Sequence, residues 1–225
     1  MRLVIFGVSN LLGNILDCAL ALGLTPSLVV MNMPEIVRPR TRSASDRVMR
    51  VPTPPRIVQL EEFSPQEGER YCLGTTSPRR QTLVEDISSR FGIKCCTLVH
   101  PAAYVSPMSS LADGVFIGAG AIVGAGAELR EHVYVGQKVT VGHDAVVEPY
   151  ARLQHGCNIS GHVRVGYGAT VGSGATCTAG TGNWPRRSYS SGDGCRRRRC
   201  RTVPGRRHTG RVQEHLVIAL DMVVP

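Results

Sequence analysis

The chain of 225 residues is long enough for one large domain or two small ones. Its formal net charge of +9 would be typical of a nucleic-acid-binding protein, but 10 Arg and only 3 acidic residues lie in residues 177–225. That segment carries +7, and residues 1–176 carry the remaining +2. The basicity therefore belongs to the tail, and we do not expect the folded part to bind nucleic acid.

The composition also indicates the cellular compartment. No apolar run is long enough to cross a membrane, and the N-terminus turns polar too soon for a signal peptide. The eight Cys show no zinc-type pairing, so we interpret them as free thiols of a cytoplasmic protein.

The N-terminal residues predict a βαβ unit. A buried strand over residues 2–6 is followed by a turn, an apolar-periodic helix over residues 11–22 and a second strand over residues 27–31. Ser9 or Asn10 is the expected N-cap of the helix, and Gly23 its C-terminal stop. This pattern predicts an α/β domain with a small parallel sheet.

Gly7 and Gly13 bracket the first turn, which resembles a dinucleotide fingerprint without its middle glycine. Main-chain N–H groups at this helix start could hold an anion such as a sugar-nucleotide phosphate. The alternative is a plain strand-to-helix turn with no ligand.

Residues 34–58 are rich in Pro and Arg and predict a long surface excursion. Strands are expected at residues 56–60 and 70–73, and a helix at residues 79–91. The polar turn at residues 74–78 should open on the same sheet edge as the first turn, so the two turns together predict a ligand crevice.

From residue 103 to 176 an aliphatic residue recurs at every sixth position, which neither a helix nor an ordinary strand produces. A small or aliphatic residue precedes it by two positions. Period six predicts a β-helix with three short strands per coil, each wall being one hexapeptide. The positions in phase are Val105, Leu111, Ile117, Val123, Leu129, Val135, Val141, Val147, Leu153, Ile159, Val165 and Val171.

His143 lies two positions after the inward-pointing Val141, at a corner of the predicted coil. A neutral imidazole there could act as a general base, with Asp144 orienting its ring, and glycine-rich corners could supply N–H donors to an oxyanion. His132, His155 and His162 also lie off the inward row, and solvent exposure is the simpler expectation for each of them.

Several of these motifs occur in an order that resembles one family. They are the Gly-x-Ser-Asn turn, the Gly-Thr-Thr…Arg loop, His-Pro-Ala-Ala-Tyr-Val-Ser-Pro at residues 100–107, the hexapeptide repeats and Val-Gly-His-Asp at residues 141–144. Residues 1–176 are similar to bacterial sugar O-acyltransferases of the sialic-acid O-acetyltransferase type, which include N-acetyltransferases of UDP-linked amino sugars. The resemblance implies a left-handed parallel β-helix, a homotrimer, and acetyl-CoA bound between neighbouring helices.

The six-residue phase begins near residue 97 and is lost after residue 177, so we place a β-helix domain at residues 97–177 and an α/β domain with a small Rossmann-like sheet at residues 1–96. The resemblance implies that the first is the acyltransferase domain and the second the substrate domain. It assigns His143 as the base and Asp144 as its acidic neighbour. It implies that Ser9, Asn10, Leu11, Gly74 and Thr75 bind the sugar or nucleotide sugar. It places Arg152, Gly161 and Ser173 near the coenzyme.

The chain departs from the family in two places. Arg152 begins a segment, Arg-Leu-Gln-His-Gly, where the family often has His-Ile-Ala-Pro-Gly, so a second functional histidine is replaced. Met31 and Asn32 stand where the family has an acidic pair. A non-catalytic trimeric scaffold or binding protein therefore stays as the alternative to an acetyltransferase.

After Cys177 the six-residue phase is lost and an Arg-rich segment, residues 178–225, begins. Arginine codons of the CGN type, read one base later, encode Gly, Ala, Val, Asp or Glu, which a further coil needs. We therefore expect that a frameshift replaced the native C-terminus, leaving an uncapped coil, weak or absent activity and a tendency to aggregate. The alternative is a basic arm that binds an anionic partner, and residues 212–224 could form a helix or strand with no evident partner.

Overall fold

The computed structural model describes residues 2–35, 41–77, 80–178 and 220–222. Its N-terminal part is a four-stranded sheet in the order β3-β2-β1-β4, in which every pair is parallel, as the βαβ pattern predicts. The sheet is covered by helices on both sides. Its elements are β1 (Arg2–Phe6), α1 (Leu12–Ala21), β2 (Thr25–Met31), α2 (Ala44–Val48), β3 (Arg56–Gln59), a 3₁₀ turn (Leu60–Glu62), β4 (Glu69–Leu73) and α3 (Arg80–Phe91).

The N-terminal end of α1 differs from the prediction. Leu11, not Ser9 or Asn10, is the N-cap, and no side chain caps the helix. The Ser9 hydroxyl accepts a hydrogen bond from the Leu11 N–H at 3.2 Å and donates one to the Gly74 carbonyl at 3.1 Å. Ser9 therefore links the two turns, and the helix begins after it. The predicted stop at Gly23 is confirmed, with φ of +67°.

The expected surface excursion at residues 34–58 contains a helix that sequence reasoning missed. Ser43 and Asp46 form a capping box at the N-terminus of α2, and Ala44 and Val48 are buried against α1. Arg47 donates to the Asn10 carbonyl at 3.0 Å and fixes α2 beside the first turn. The segment is therefore packed for part of its length; residues 36–40 lie outside the described residues.

From Leu98 the chain forms a parallel β-helix, which confirms the prediction from period six. Each strand pairs with the strand 18 residues away, for example Tyr134 with Arg152. The strands are β5 (Leu98–Val99), β6 (Tyr104–Val105), β7 (Ser110–Leu111), β8 (Phe116–Ile117), β9 (Ile122–Val123), β10 (Glu128–Leu129), β11 (Tyr134–Val135), β12 (Thr140–Val141), β13 (Val146–Val147), β14 (Arg152–Leu153), β15 (Asn158–Ile159), β16 (Val163–Val165), β17 (Thr170–Val171) and β18 (Thr176–Cys177).

These strands form three walls. The first wall is β5-β8-β11-β14-β17, the second is β6-β9-β12-β15-β18, and the third is β7-β10-β13-β16. The aliphatic row and the small row fill the interior together, and from Val115 to Cys177 their members are at most 2% exposed. The apolar area removed from water along this tube is the main stabilising contribution to it.

The first wall packs against the α/β domain. Its outward residues Leu98, Phe116 and Tyr134 belong to the same buried cluster as Leu12 and Ile15 of α1. The rings of Phe116 and Tyr134 stack with centroids 5.2 Å apart. The outer surface of this wall is therefore an interdomain core.

Most of the Arg-rich segment lies outside the described residues, so the proposed loss of the native C-terminus is not tested by the structure. A further strand, β19 (Leu220–Met222), pairs antiparallel with β16. The expectation that residues 212–224 have no partner is therefore wrong for this strand. It pairs with the edge strand β16, whose main-chain N–H and C=O groups need hydrogen-bond partners. None of the described helices is long and apolar enough to cross a membrane.

Candidate functional site

His143 and Asp144 form the turn between the second and third walls, which we call the His143 corner. The imidazole Nδ1 and the Asp144 Oδ2 are 2.8 Å apart, and the two side chains are 63% and 53% exposed. If Nδ1 carries the proton, it donates to the carboxylate and leaves Nε2 with a free lone pair. The structure thus places the predicted base at an outer edge, accessible to a ligand.

Gly161 lies directly against the imidazole of His143. A Cβ built on Gly161 would come within 2.6 Å of the His143 Nε2. The glycine therefore leaves the space that the imidazole ring occupies. The next residue, His162, packs edge-on against His143 with ring centroids 4.9 Å apart. Gly161, predicted near the coenzyme, is therefore part of the His143 corner.

The other two predicted coenzyme residues lie elsewhere on the tube. Arg152 is on the first wall, where its guanidinium donates to the Thr76 carbonyl at 2.7 Å and to the Thr170 hydroxyl at 2.8 Å. Ser173 lies in the turn between the first and second walls. Within one chain the structure does not bring Arg152, Gly161 and Ser173 together.

A cleft of about 430 Å³ opens beside the two turns of the α/β domain. It brings together three of the predicted substrate residues, Ser9, Asn10 and Thr75, and Arg80 also lines it. Because β1 and β4 are adjacent and parallel, their following turns meet at one sheet edge, as the sequence predicts. The lining offers hydroxyl and amide groups to a polar ligand, and the Glu35 carboxylate also belongs to it.

Leu11 and Gly74, the other two predicted substrate residues, do not line this cleft. They border a neighbouring space of about 20 Å³ between the α/β domain and the first wall. A Cβ on Gly74 would lie 2.4 Å from the Gly7 carbonyl oxygen, so Gly74 lets the two turns approach. Its role within one chain is to pack the turns together.

Arg80 is a polar residue at this edge to which sequence reasoning gave no individual role. It is only 3% exposed, and its guanidinium donates to the carbonyls of Thr76, His132, Tyr150 and Ala151. Burial, reinforced by the nearby charge of Arg152, lowers the pKa of Arg80 to about 9. The guanidinium therefore stays cationic at neutral pH, and no sequence signal marks it as buried.

The four corner histidines divide into two kinds. His143 and His162 are exposed, whereas His132 and His155 are half-buried. His132 stacks on Tyr150 with centroids 5.1 Å apart, and burial and the charge of Arg80 lower its pKa. His155 accepts a hydrogen bond from the Gln137 N–H at 3.0 Å. The expectation of exposure is therefore wrong for His132 and His155, because neighbouring coils or α3 cover them.

No protein-family profile and no curated protein matches the chain. Solved structures do match it. The acetyltransferase domain of PglB from Neisseria gonorrhoeae FA1090 is 26% identical, with a TM-score of 0.62 over 78% of this chain and 81% of that one. The same domain in complex with acetyl coenzyme A aligns with the same TM-score, at 24% identity over 78% of this chain and 80% of that one.

A third solved structure is a histidine-to-asparagine mutant of perosamine N-acetyltransferase from Caulobacter crescentus, in complex with CoA and GDP-perosamine. It is 19% identical, with a TM-score of 0.58 over 85% of this chain and 91% of that one, and at this identity the likeness concerns the fold. The alignments cover most of both chains in each case. In its fold the chain therefore resembles the solved acetyltransferase domain and sugar N-acetyltransferase, which agrees with the resemblance predicted from its sequence.

Proposed function

We propose that the protein transfers the acetyl group of acetyl-CoA to an amino or hydroxyl group of a sugar or nucleotide sugar. The observation that carries this proposal is the exposed imidazole of His143, held 2.8 Å from the Asp144 carboxylate at an edge of the β-helix. An oriented neutral imidazole is suited to general-base catalysis near neutral pH.

His143 and Asp144 are the proposed catalytic residues. The acceptor nitrogen or oxygen attacks the thioester carbonyl while His143 Nε2 takes its proton. The tetrahedral oxyanion then collapses, the carbon–sulfur bond breaks, and the imidazolium returns the proton to the departing CoA thiolate. Asp144 keeps Nδ1 protonated and offsets the charge on the ring. The acyl group arrives activated, so this step uses no further co-reactant.

The cleft beside Ser9, Asn10 and Thr75 is the proposed substrate site of a Rossmann-like domain spanning residues 1–96. Its hydroxyl and amide groups suit a sugar or the ribose of a nucleotide sugar, and its lining carries one charge of each sign, on Arg80 and Glu35. Leu11 and Gly74 are proposed to support this site from behind.

A homotrimer of left-handed β-helices is the proposed assembly, with residues 97–177 forming the helix. The α/β domain covers the first wall, whereas the His143 corner joins the other two walls and so lies on the opposite side of the same tube. A neighbouring chain is therefore needed to bring a substrate domain to His143. Gly161 and Ser173 are proposed to contact acetyl-CoA at such an interface, with Arg152 close by.

The test is acetyl transfer from acetyl-CoA to a panel of amino-sugar nucleotides and sugars, followed by product mass. We expect transfer by the wild type and a loss of roughly 10²-fold or more in His143→Ala. His155→Ala is the matched control, because it removes another corner imidazole, and we expect it to keep most of the activity. Equal rates in the wild type and His143→Ala would disprove the role of the base.

The rival function is a trimeric scaffold without catalysis. The observation that favours it is Arg152, which stands at the family's second functional histidine and is engaged in bonds to Thr76 and Thr170. No transfer to any acceptor by a well-folded trimer would support this function.

A further inference from the structure

Three side chains of types that can ligate a metal ion, those of His143, Asp144 and His162, lie close together at the His143 corner. The Asp144 Oδ2 lies 2.8 Å from His143 Nδ1 and 3.9 Å from His162 Nε2. One donor atom from each of the three residues lies within 4.8 Å of the other two. In the part of the chain that the structure describes, no other group of three His, Cys, Asp or Glu is arranged in this way.

The fold holds these residues on one edge. Asp144 and His162 occupy the same turn position of successive coils, and both have a left-handed backbone, with φ of +54° and +58°. The His162 N–H donates to the His143 carbonyl at 3.0 Å, and the Asp144 N–H donates to the Ala125 carbonyl at 3.0 Å. The main chain is thus fixed, and small side-chain rotations decide the donor spacing.

That spacing suits a tetrahedral ion. With metal–ligand bonds of 2.0–2.2 Å, two donors on tetrahedral zinc are separated by about 3.3–3.6 Å. The distances of 2.8 Å and 3.9 Å lie on either side of this range. Two imidazoles with one carboxylate form a donor set that zinc and related ions accept, and three protein ligands leave a fourth position for water.

We propose that the His143 corner binds a divalent transition-metal ion of the zinc type through His143 Nδ1, Asp144 Oδ2 and His162 Nε2. The three side chains are 51–63% exposed, so the ion exchanges with solvent and binding is reversible. His162 supplies the ligand that turns a His–Asp pair into a site.

Bound metal and general-base catalysis exclude each other. Coordination needs the Nδ1 lone pair, so the one proton of the neutral ring moves from Nδ1 to Nε2. With Nδ1 on the ion, Asp144 no longer orients the ring through a hydrogen bond, and a ring protonated at Nε2 cannot accept the acceptor's proton. The ion is therefore an inhibitor of acetyl transfer. This consequence rests on the proposed function, whereas metal binding does not.

Binding is measured by calorimetric titration of the full chain with zinc chloride, and by the visible absorption of the cobalt(II) complex. All proteins carry Cys195→Ser and Cys200→Ser, because thiolates also bind zinc. The variants are His162→Asn and Asp144→Asn, since Asn adopts a left-handed backbone readily and keeps the corner folded. His155→Asn, at another corner, is the matched control.

We expect one ion per chain in the parent, binding at least tenfold weaker in His162→Asn and Asp144→Asn, and parent-like binding in His155→Asn. A parent that binds no stoichiometric ion, or a His162→Asn variant that binds as tightly as the parent, would overturn the proposal.

The two proposals fail separately. Zinc binding without acetyl transfer to any acceptor would leave the metal site standing and remove the proposed function. Acetyl transfer by a parent that binds no zinc would support the proposed function and remove the metal site. Where both hold, zinc should inhibit the parent at concentrations at least tenfold lower than those that inhibit His162→Asn, each measured against its own metal-free rate.

Discussion

Arg80 Nη2 lies 3.2 Å from the carbonyl oxygen of Ala151, so a guanidinium at the start of α3 is bonded to the first wall of the β-helix. The same side chain also donates to the Thr76 and His132 carbonyls. The α/β domain and the tube are therefore joined by a buried cation whose partners are main-chain oxygens.

Replacing Arg80 should weaken this joint. Arg80→Ala leaves several buried carbonyls without a donor, and we expect a loss of about 1–3 kcal/mol in the free energy of unfolding. Urea titration followed by circular dichroism measures it. Arg90→Ala is the control, because Arg90 is exposed and its ion pair with Asp86 is a surface pair. An equal effect of the two substitutions would contradict the role of Arg80.

Gly161→Ala should displace the imidazole of His143, because the new Cβ would come within 2.6 Å of Nε2. We expect acetyl transfer to fall by roughly 10–100-fold, since small misplacements of a catalytic group are costly. The melting temperature should change little, because the His143 ring is exposed and can rotate away. Gly13→Ala is the control and should keep full activity, because no atom lies within 4 Å of its added Cβ. Acetyl transfer by Gly161→Ala at the parent rate would show that catalysis does not need the observed position of the His143 ring.

Gly74→Ala should destabilise the α/β domain. Its Cβ would meet the Gly7 carbonyl oxygen at 2.4 Å and Ile5 Cγ2 at 2.6 Å, so the two turns must separate. We expect a loss of about 1–3 kcal/mol, as for other overpacked sites. Thermal unfolding of Gly74→Ala, compared with that of Gly13→Ala, measures the effect. Equal melting temperatures of the two variants would show that the turns can separate without loss of stability.

Cys157 should make the protein sensitive to alkali. The thiol lies at 0% exposure in the tube, and burial raises its pKa from about 9 to about 12. Below pH 9 the thiol is protonated in both states; above pH 9 it ionises only in the unfolded chain, so stability is lost as the pH rises towards 12. Cys157→Ala removes this dependence. Between pH 8 and 10 we expect the wild type to lose about 1.4 kcal/mol more than the variant.

The comparison is made between the slopes of the two pH curves, because Cys157→Ala also changes stability at neutral pH by opening a small cavity. Other titrating groups are the same in both proteins and cancel. Parallel curves from pH 8 to 10 would show that the thiol ionises without unfolding the tube.

The β-helix could be predicted almost residue by residue, because each inward position is occupied by an aliphatic side chain and the period has no competing explanation. The parallel pairing of β1, β2 and β4 followed from the strand–turn–helix order. The phase puts four histidines off the inward row, and the Val-Gly-His-Asp motif of the resemblance singled out His143 among them. The 18-residue coil would also have placed His162 beside Asp144.

Other features depend on tertiary contacts that local patterns do not encode. Ser9 resembles an N-cap, but its hydroxyl donates to the Gly74 carbonyl, 65 positions away in the chain. The helix α2 was hidden among Pro and Arg residues, although Ser43 and Asp46 have the spacing of a capping box. Arg80 has the composition of a surface residue and is buried only because the first wall covers it.

The stacking of equivalent residues 18 positions apart, as with Thr140 and Asn158, restricts how such a chain can change its length. One amino acid inserted into a wall would turn every later aliphatic side chain outward, and all coils beyond it would lose their interior. Length can change freely only at the turns or by a whole coil. We therefore expect a β-helix of this kind to evolve by gaining or losing complete coils. Its turns are the places where insertions can add new functional side chains.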